Sequence, residues 1–181
     1  MRESVRVQAG GFVATDRDIS IVTVLGSCVA ACVRDRESGI GGMNHFMLPR
    51  CRDGDSVASA SARYGVNAME LLINELIRLG ARRSRLEAKV FGGGNVLATI
   101  TSIDVGEMNA NFVSSFLREE AIPVVASDLR GNAPRQVRYE PKSGRAFVRP
   151  LGRANREALD AEARYAERLR DLPGGGSVEF F

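Results

Sequence analysis

A chain of 181 residues, 44% hydrophobic and 26% charged, suits one globular domain with an ordinary core and excludes wholesale disorder. No apolar run approaches the roughly 20 residues needed to span a bilayer. The N-terminal MRESVRVQAGGFVATDRD lacks the apolar core of a secretory signal, so a cytoplasmic protein without direct membrane insertion is expected. The net charge of +3 comes from arginines scattered among acids, without the dense basic block that nucleic-acid binding calls for.

In chain order, residues 19–33, ISIVTVLGSCVAACV, are β-branched and small apolar residues interrupted by Gly26-Ser27. That pattern predicts a strand, a tight turn and a second buried strand. A turn over 34–39 leads into a third strand, Ile40 to Leu48, which ends at Pro49, and residues 50–59 read as an exposed loop. Tyr64, Ala68, Leu71, Leu72, Leu76 and Leu79 recur at helical spacing until Gly80. Leu86–Phe91 forms a short strand entering the loop Gly92-Gly93-Gly94-Asn95. A second helix fits 106–120, with Met108, Phe112, Phe116 and Leu117 on one face. Pro123–Ser127 is a strand, and residues 135–149 form a hairpin about Pro141–Gly144. Strands and helices mixed without strict alternation predict a layered α/β (α+β) domain over 1–150. The rest, 151–181, reads as an appendage. It comprises a charged, thinly apolar helix over 152–171, a glycine-rich break, and Val178-Glu-Phe-Phe181 as a candidate docking peptide.

Three cysteines cannot all pair within one chain, which favours free thiols. Cys28 and the single histidine, His45, lie on the two predicted strands that flank the 34–39 turn. Pairing Arg34 with Gly39 across that turn sets Cys28 directly opposite His45, where Cβ atoms are about 4.5–5.5 Å apart. A thiol beside an imidazole can act as a nucleophile, and the imidazole can then protonate a leaving nitrogen. The Gly26-Ser27 turn offers backbone N–H groups to an oxyanion, and Thr23 is the nearest polar residue to orient the histidine. Two plainer readings stand beside this one: a small core cysteine with a structural histidine, or a metal site from Cys28, Cys32, His45 and Cys51. On a strand Cys28 and Cys32 would be about 13 Å apart, too far to share one zinc ion. The Gly92–Asn95 loop lacks the Lys-Ser/Thr ending of a phosphate cradle, so it reads as a turn at the rim of a pocket. Asp128–Asn132 reads as a polar turn that could meet a partner.

LGSCVAACVRD with GIGGMNHFMLP closely resembles the CheD family of bacterial chemoreceptor glutamine deamidases. The likeness continues through KVFGGGNVL (89–97) and the long stretch 103–148. The resemblance implies a layered α/β fold shared with bacterial toxin deamidases, Cys28 as nucleophile, His45 as general base and acid, and Thr23 as third member. It further implies a thioester route without metal or organic cofactor. The implied reaction turns particular glutamines on the cytoplasmic helical domain of methyl-accepting chemotaxis receptors into glutamates. A rival reading is a non-catalytic adaptor that binds receptors or a CheC-like phosphatase, and a third is another thiol hydrolase, a peptidase or methylesterase.

Overall fold

Small and β-branched apolar residues on both faces of 29–33 require a strand covered on both sides, and the fold supplies two covers. The computed structural model describes residues 3–49, 57–96, 104–152 and 156–170. Its strands are β1 (Ser4–Arg6), β2 (Phe12–Thr15), β3 (Ser20–Leu25), β4 (Val29–Asp35), β5 (Gly41–Asn44), β6 (Leu86–Gly92), β7 (Val124–Leu129), β8 (Arg135–Glu140) and β9 (Arg145–Pro150). Three helices join them: α1 (Val57–Arg78), α2 (Val105–Glu119) and α3 (Arg156–Arg170). One sheet has the order β1-β3-β8-β9, the other β2-β5-β4-β6-β7. This is a layered α+β sandwich, as the strand and helix pattern predicts.

Strand β4 divides the core. Val29, Ala31 and Val33 point into a cluster with Met69, Leu72, Ile73 and Leu76 of α1 and Val113, Phe116 and Leu117 of α2. Cys28, Ala30 and Cys32 point the other way, into a cluster with Ile21 and Leu25 of β3 and Val137 and Tyr139 of β8. The period-two alternation thus sorts one strand between a helix–sheet layer and a sheet–sheet layer. Because β3 and β4 belong to different sheets, Gly26-Ser27-Cys28 is where the chain crosses from one sheet to the other.

Several expectations shift in detail. Arg34 pairs with Gly41, not Gly39. The longer turn follows from Asp35, whose buried carboxylate accepts from the backbone N–H groups of Glu37, Ser38 and Arg82 and holds the turn open. A slip of two residues preserves the face, so Cys28 and His45 still share a side. Strand β5 stops at Asn44, and Phe46 rejoins Val29 by a single bridge. On α1, Leu71 is exposed, while Met69 and Ile73 fill the core instead. Cys51, most of the 50–59 loop and the terminal Val178–Phe181 lie outside the described residues.

The charged terminal helix packs on the body of the molecule. Tyr165 and Leu169 of α3 enter the sheet–sheet cluster, and Glu162 is 2% exposed.

Candidate active site

The crossing turn has no side chain at Gly26, and a Cβ there would lie 2.7 Å from Val96 and 2.7 Å from Glu162. Two neighbours fix its backbone. The glycine loop clasps it from one side, with Gly93 N–H donating to the Cys28 carbonyl and Gly94 N–H to the Gly26 carbonyl, both at 2.8 Å. From α2, the fully buried Asn109 donates to the Ser27 carbonyl at 2.8 Å and accepts from Leu48 N–H at 2.9 Å. One amide side chain therefore ties the Cys28 turn to the segment that follows His45. The loop Phe91–Asn95 is thus the wall of the site, as its motif suggests, and Arg130 and Gly131 brace it through Gly92 and Asn95.

His45 is held by its own backbone, which exchanges hydrogen bonds with Gly10 (2.7 Å) and Gly11 (3.0 Å). Its Nδ1 lies 2.8 Å from the Thr23 hydroxyl, and that hydroxyl donates to the Val7 carbonyl at 2.9 Å. A threonine hydroxyl has one hydrogen; given to Val7, it leaves the oxygen as acceptor, so Nδ1 bears the ring proton. Nε2 is then the basic nitrogen. It is buried and has no hydrogen-bond partner among the described residues. The Cys28 sulfur, a His45 ring nitrogen and a Glu162 carboxylate oxygen all lie within 4.8 Å of one another. Cys28, His45 and Thr23 therefore meet, as expected from sequence.

Glu162 was not among the expected residues, and it contacts every part of the turn. Oε1 accepts from Gly26 N–H (2.7 Å) and Cys28 N–H (3.0 Å). Oε2 accepts from Ser27 N–H (2.8 Å) and the Ser27 hydroxyl (2.9 Å). The turn is a built carboxylate pocket: three backbone donors and one hydroxyl converge on two oxygens. Nothing in 152–171 sets this glutamate apart from its neighbours in sequence. The one available signal is that Glu162, Tyr165 and Leu169 fall on one helical face.

Electrostatics follow from burial. The Cys28 thiol is held well above its ordinary pKa by burial, then by the Glu162 charge and by its own hydrogen bond to that carboxylate. Burial also pushes His45 down to about 4, against a smaller upward pull from Glu162. The imidazole is accordingly neutral and the thiol protonated. A cation bound by Cys28, His45 and Glu162 has the right ligand types. However, three backbone N–H groups, the Ser27 hydroxyl and the Cys28 thiol already occupy the carboxylate's roughly four lone-pair sites, so these residues do not fit a metal centre.

The depressed histidine predicts a pH effect on stability. The unfolded chain binds a proton near pH 6.5 and the folded chain only near about 4, so stability is full above the higher value and is lost as pH falls through that window. Denaturant titrations at a series of pH values should show this loss, and His45→Gln should flatten it.

A buried thiol, imidazole and hydroxyl close together, beside converging backbone N–H donors, define the class: a layered α/β protein with a cysteine–histidine site. The family model for CheD chemotactic sensory transduction matches residues 47–150, and relatives align with nearly the whole chain. A protein from Janthinobacterium sp. (strain Marseille) is 53% identical over 99% of this chain and 90% of its own length. One from Methylobacillus flagellatus is 51% identical with the same coverage. One from Ralstonia pickettii is 52% identical over 93% of this chain and 72% of its own length. Each of the three is named "Probable chemoreceptor glutamine deamidase CheD". The chain belongs to the CheD family.

Proposed function

We propose that the chain hydrolyses glutamine side chains to glutamate on the cytoplasmic helical domains of chemoreceptors, with Cys28 as nucleophile, His45 as base and acid, and Thr23 as the group that orients His45. The names of its relatives support the substrate class. The observation that carries the chemistry is the carboxylate pocket on Gly26, Ser27 and Cys28 beside a thiol and an unpartnered imidazole nitrogen. A deamidase must bind a carboxylate-like group twice, as the oxyanion of its intermediates and as its product.

On this reading Nε2 of His45 takes the Cys28 proton, and the thiolate attacks the carboxamide carbon of the glutamine. The oxygen, now negative, accepts from the N–H groups that meet Oε1 of Glu162. His45 returns the proton to nitrogen and ammonia departs, leaving a glutamyl thioester. Water, deprotonated by His45, attacks the thioester carbon; the thiolate leaves and recovers the proton, and glutamate is released. Neither a metal nor an organic cofactor has a step in this sequence. We place this machinery in residues 1–150, with 151–181 outside it.

Mass spectrometry of receptor cytoplasmic domains incubated with the protein tests the proposal directly. Gln-to-Glu conversion at specific sites is expected, and binding without conversion would favour the adaptor reading. A CheC-like phosphatase as a second partner rests on the family resemblance alone. Cytoplasmic residence follows from the proposed substrate, and no described helix is long and apolar enough to cross a membrane.

Thr23→Val separates orientation from packing. It removes the hydroxyl that the Val7 carbonyl and the Nδ1–H share, at a cost of about 1–3 kcal/mol for a buried group left unsatisfied. It also frees the imidazole to adopt the wrong tautomer. Thr23→Ser keeps the hydroxyl and should retain most activity, whereas the valine variant should lose about 10–100-fold in turnover, part of the roughly 10²–10⁴-fold that general acid–base catalysis supplies. Equal rates for the two variants would remove Thr23 from the site.

A further inference from the structure

We infer that α3 sits in the groove where a substrate helix docks, with Glu162 held as a product glutamate would be, so that the protein rests as its own product complex until a receptor helix displaces α3. The inference rests on the deamidase reading above. It goes beyond that reading in assigning the terminal helix as an internal stand-in for substrate.

The bonding is specific to the site. Among the described residues, the hydrogen bonds to Glu162 come from Gly26, Ser27 and Cys28, the turn that bears the nucleophile. A structural glutamate at 2% exposure would ordinarily be matched to a cation, because burying a charge is costly. Here the partners are neutral donors aimed at where negative charge develops in the reaction. The carboxylate also lies within 4.8 Å of both the Cys28 sulfur and a His45 ring nitrogen, about where a product carboxylate rests before release.

The rest of α3 behaves as a removable ligand. Its buried large apolar contacts among the described residues are Tyr165 and Leu169, one and two turns beyond Glu162 on the same face. Tyr165 meets the Tyr64 hydroxyl and lies against Gly10, where a Cβ would approach the ring to 3.0 Å. Asp160, Arg164, Arg168 and Arg170 point outward. A helix that projects one carboxylate into the pocket and rests on a short apolar stripe is how a helical substrate would present its glutamine.

Two consequences for the thiol agree. Cys28 has no solvent exposure while α3 is in place, and the Glu162 charge disfavours its thiolate. Withdrawal of α3 opens the sulfur and removes that charge together. The resting arrangement therefore restrains the nucleophile by blocking it and by suppressing its ionisation.

The test makes α3 a tethered substrate. In the full-length Glu162→Gln protein, the introduced amide should be hydrolysed in place: water supplies oxygen, ammonia leaves, and position 162 becomes acidic. Docking will be looser, since an amide N–H would face the Ser27 N–H, but hydrolysis is a one-way trap and even a minor docked population accumulates product. Peptide mass spectrometry should find glutamate at 162 when Cys28 is present and the intact amide when Glu162→Gln is combined with Cys28→Ala. An amide that persists in a protein still converting receptor glutamines overturns the inference and leaves the deamidase standing. An amide that persists where receptor glutamines are also untouched fells the deamidase reading, and the product-complex reading with it.

A second arm does not depend on catalysis. Glu162→Ala should speed iodoacetamide alkylation of Cys28 by about tenfold or more, with the rise of rate with pH shifted to lower pH, as an uncovered and less repelled thiol requires. An unchanged alkylation rate overturns the cover whatever the receptor assay shows.

Discussion

Cys28→Ala should abolish glutamine conversion while leaving a folded domain. Loss of the nucleophile in a thioester route costs about 10³-fold or more in turnover, since neither the oxyanion donors nor binding alone can replace the covalent step. Stability should fall by only about 1 kcal/mol, because one sulfur leaves a small cavity in a cluster that includes Leu25, Phe91 and Val137. Cys28→Ser should be equally inactive, since a hydroxyl ionises far less readily than a thiol. The internal control is Cys32. It shares the cluster with Cys28, is fully buried, and burial pushes its thiol up as well, but no histidine or carboxylate gathers with it among the described residues. Cys32→Ala should therefore lose a similar amount of stability and keep its activity. The measurement is conversion rate beside a denaturation curve for all three variants. Near-native conversion by Cys28→Ala would end the nucleophile assignment.

How much of this was legible before the structure depends on whether a contact is local. The turn, the flanking strands and the shared face of Cys28 and His45 follow from period-two alternation and one short loop. The register did not, because the turn length depends on the Asp35 carboxylate reaching the backbone of Arg82, 47 residues away. On α1 the expected face holds at Leu72 and Leu76 and differs at Leu71, which is exposed where Met69 and Ile73 are covered: these residues are equally apolar, and only the direction from which β4 and β5 arrive decides which are covered. Thr23 was legible because strand β3 runs straight into the crossing turn. Asn109 and Glu162 were not. Both reach the turn across long loop closures, 82 and about 135 residues, and each looks in sequence like an ordinary polar residue of its helix. Polar contacts of that reach leave no periodicity. The terminal helix read as an appendage for the same reason: its apolar residues are few, and the hydrogen bonds that Glu162 accepts from the turn have no local sequence signal.

Gly92→Ala should have the largest effect on stability, and it tests whether the glycine loop sets the geometry of the site. Gly92 has φ +99, outside what an alanine adopts without strain, and a Cβ there would fall well inside contact distance of the Cys28 carbonyl oxygen, with Leu25 at 3.1 Å beyond it. Left-handed strain alone costs about 1–2 kcal/mol. The collision is with backbone, which cannot rotate aside, so the pair β4–β6 must separate at Val29 and Gly92 or the crossing turn must shift. A total of about 3 kcal/mol or more is expected, as for overpacking in a closed core. Gly131→Ala isolates the strain component. Its φ is +82, yet a Cβ there meets a side chain rather than backbone, the Arg135 guanidinium at 3.3 Å, so about 1 kcal/mol should be lost. If the two variants unfold at the same denaturant concentration, close approach to Cys28 is not what requires glycine at 92. If Gly92→Ala is much the weaker and what remains folded has lost conversion while Gly131→Ala keeps it, then the loop acts on the reaction by fixing where the Cys28 backbone lies. That outcome would tie activity to a displacement in a residue with no reacting group of its own, through the one carbonyl that Gly93 N–H holds in place.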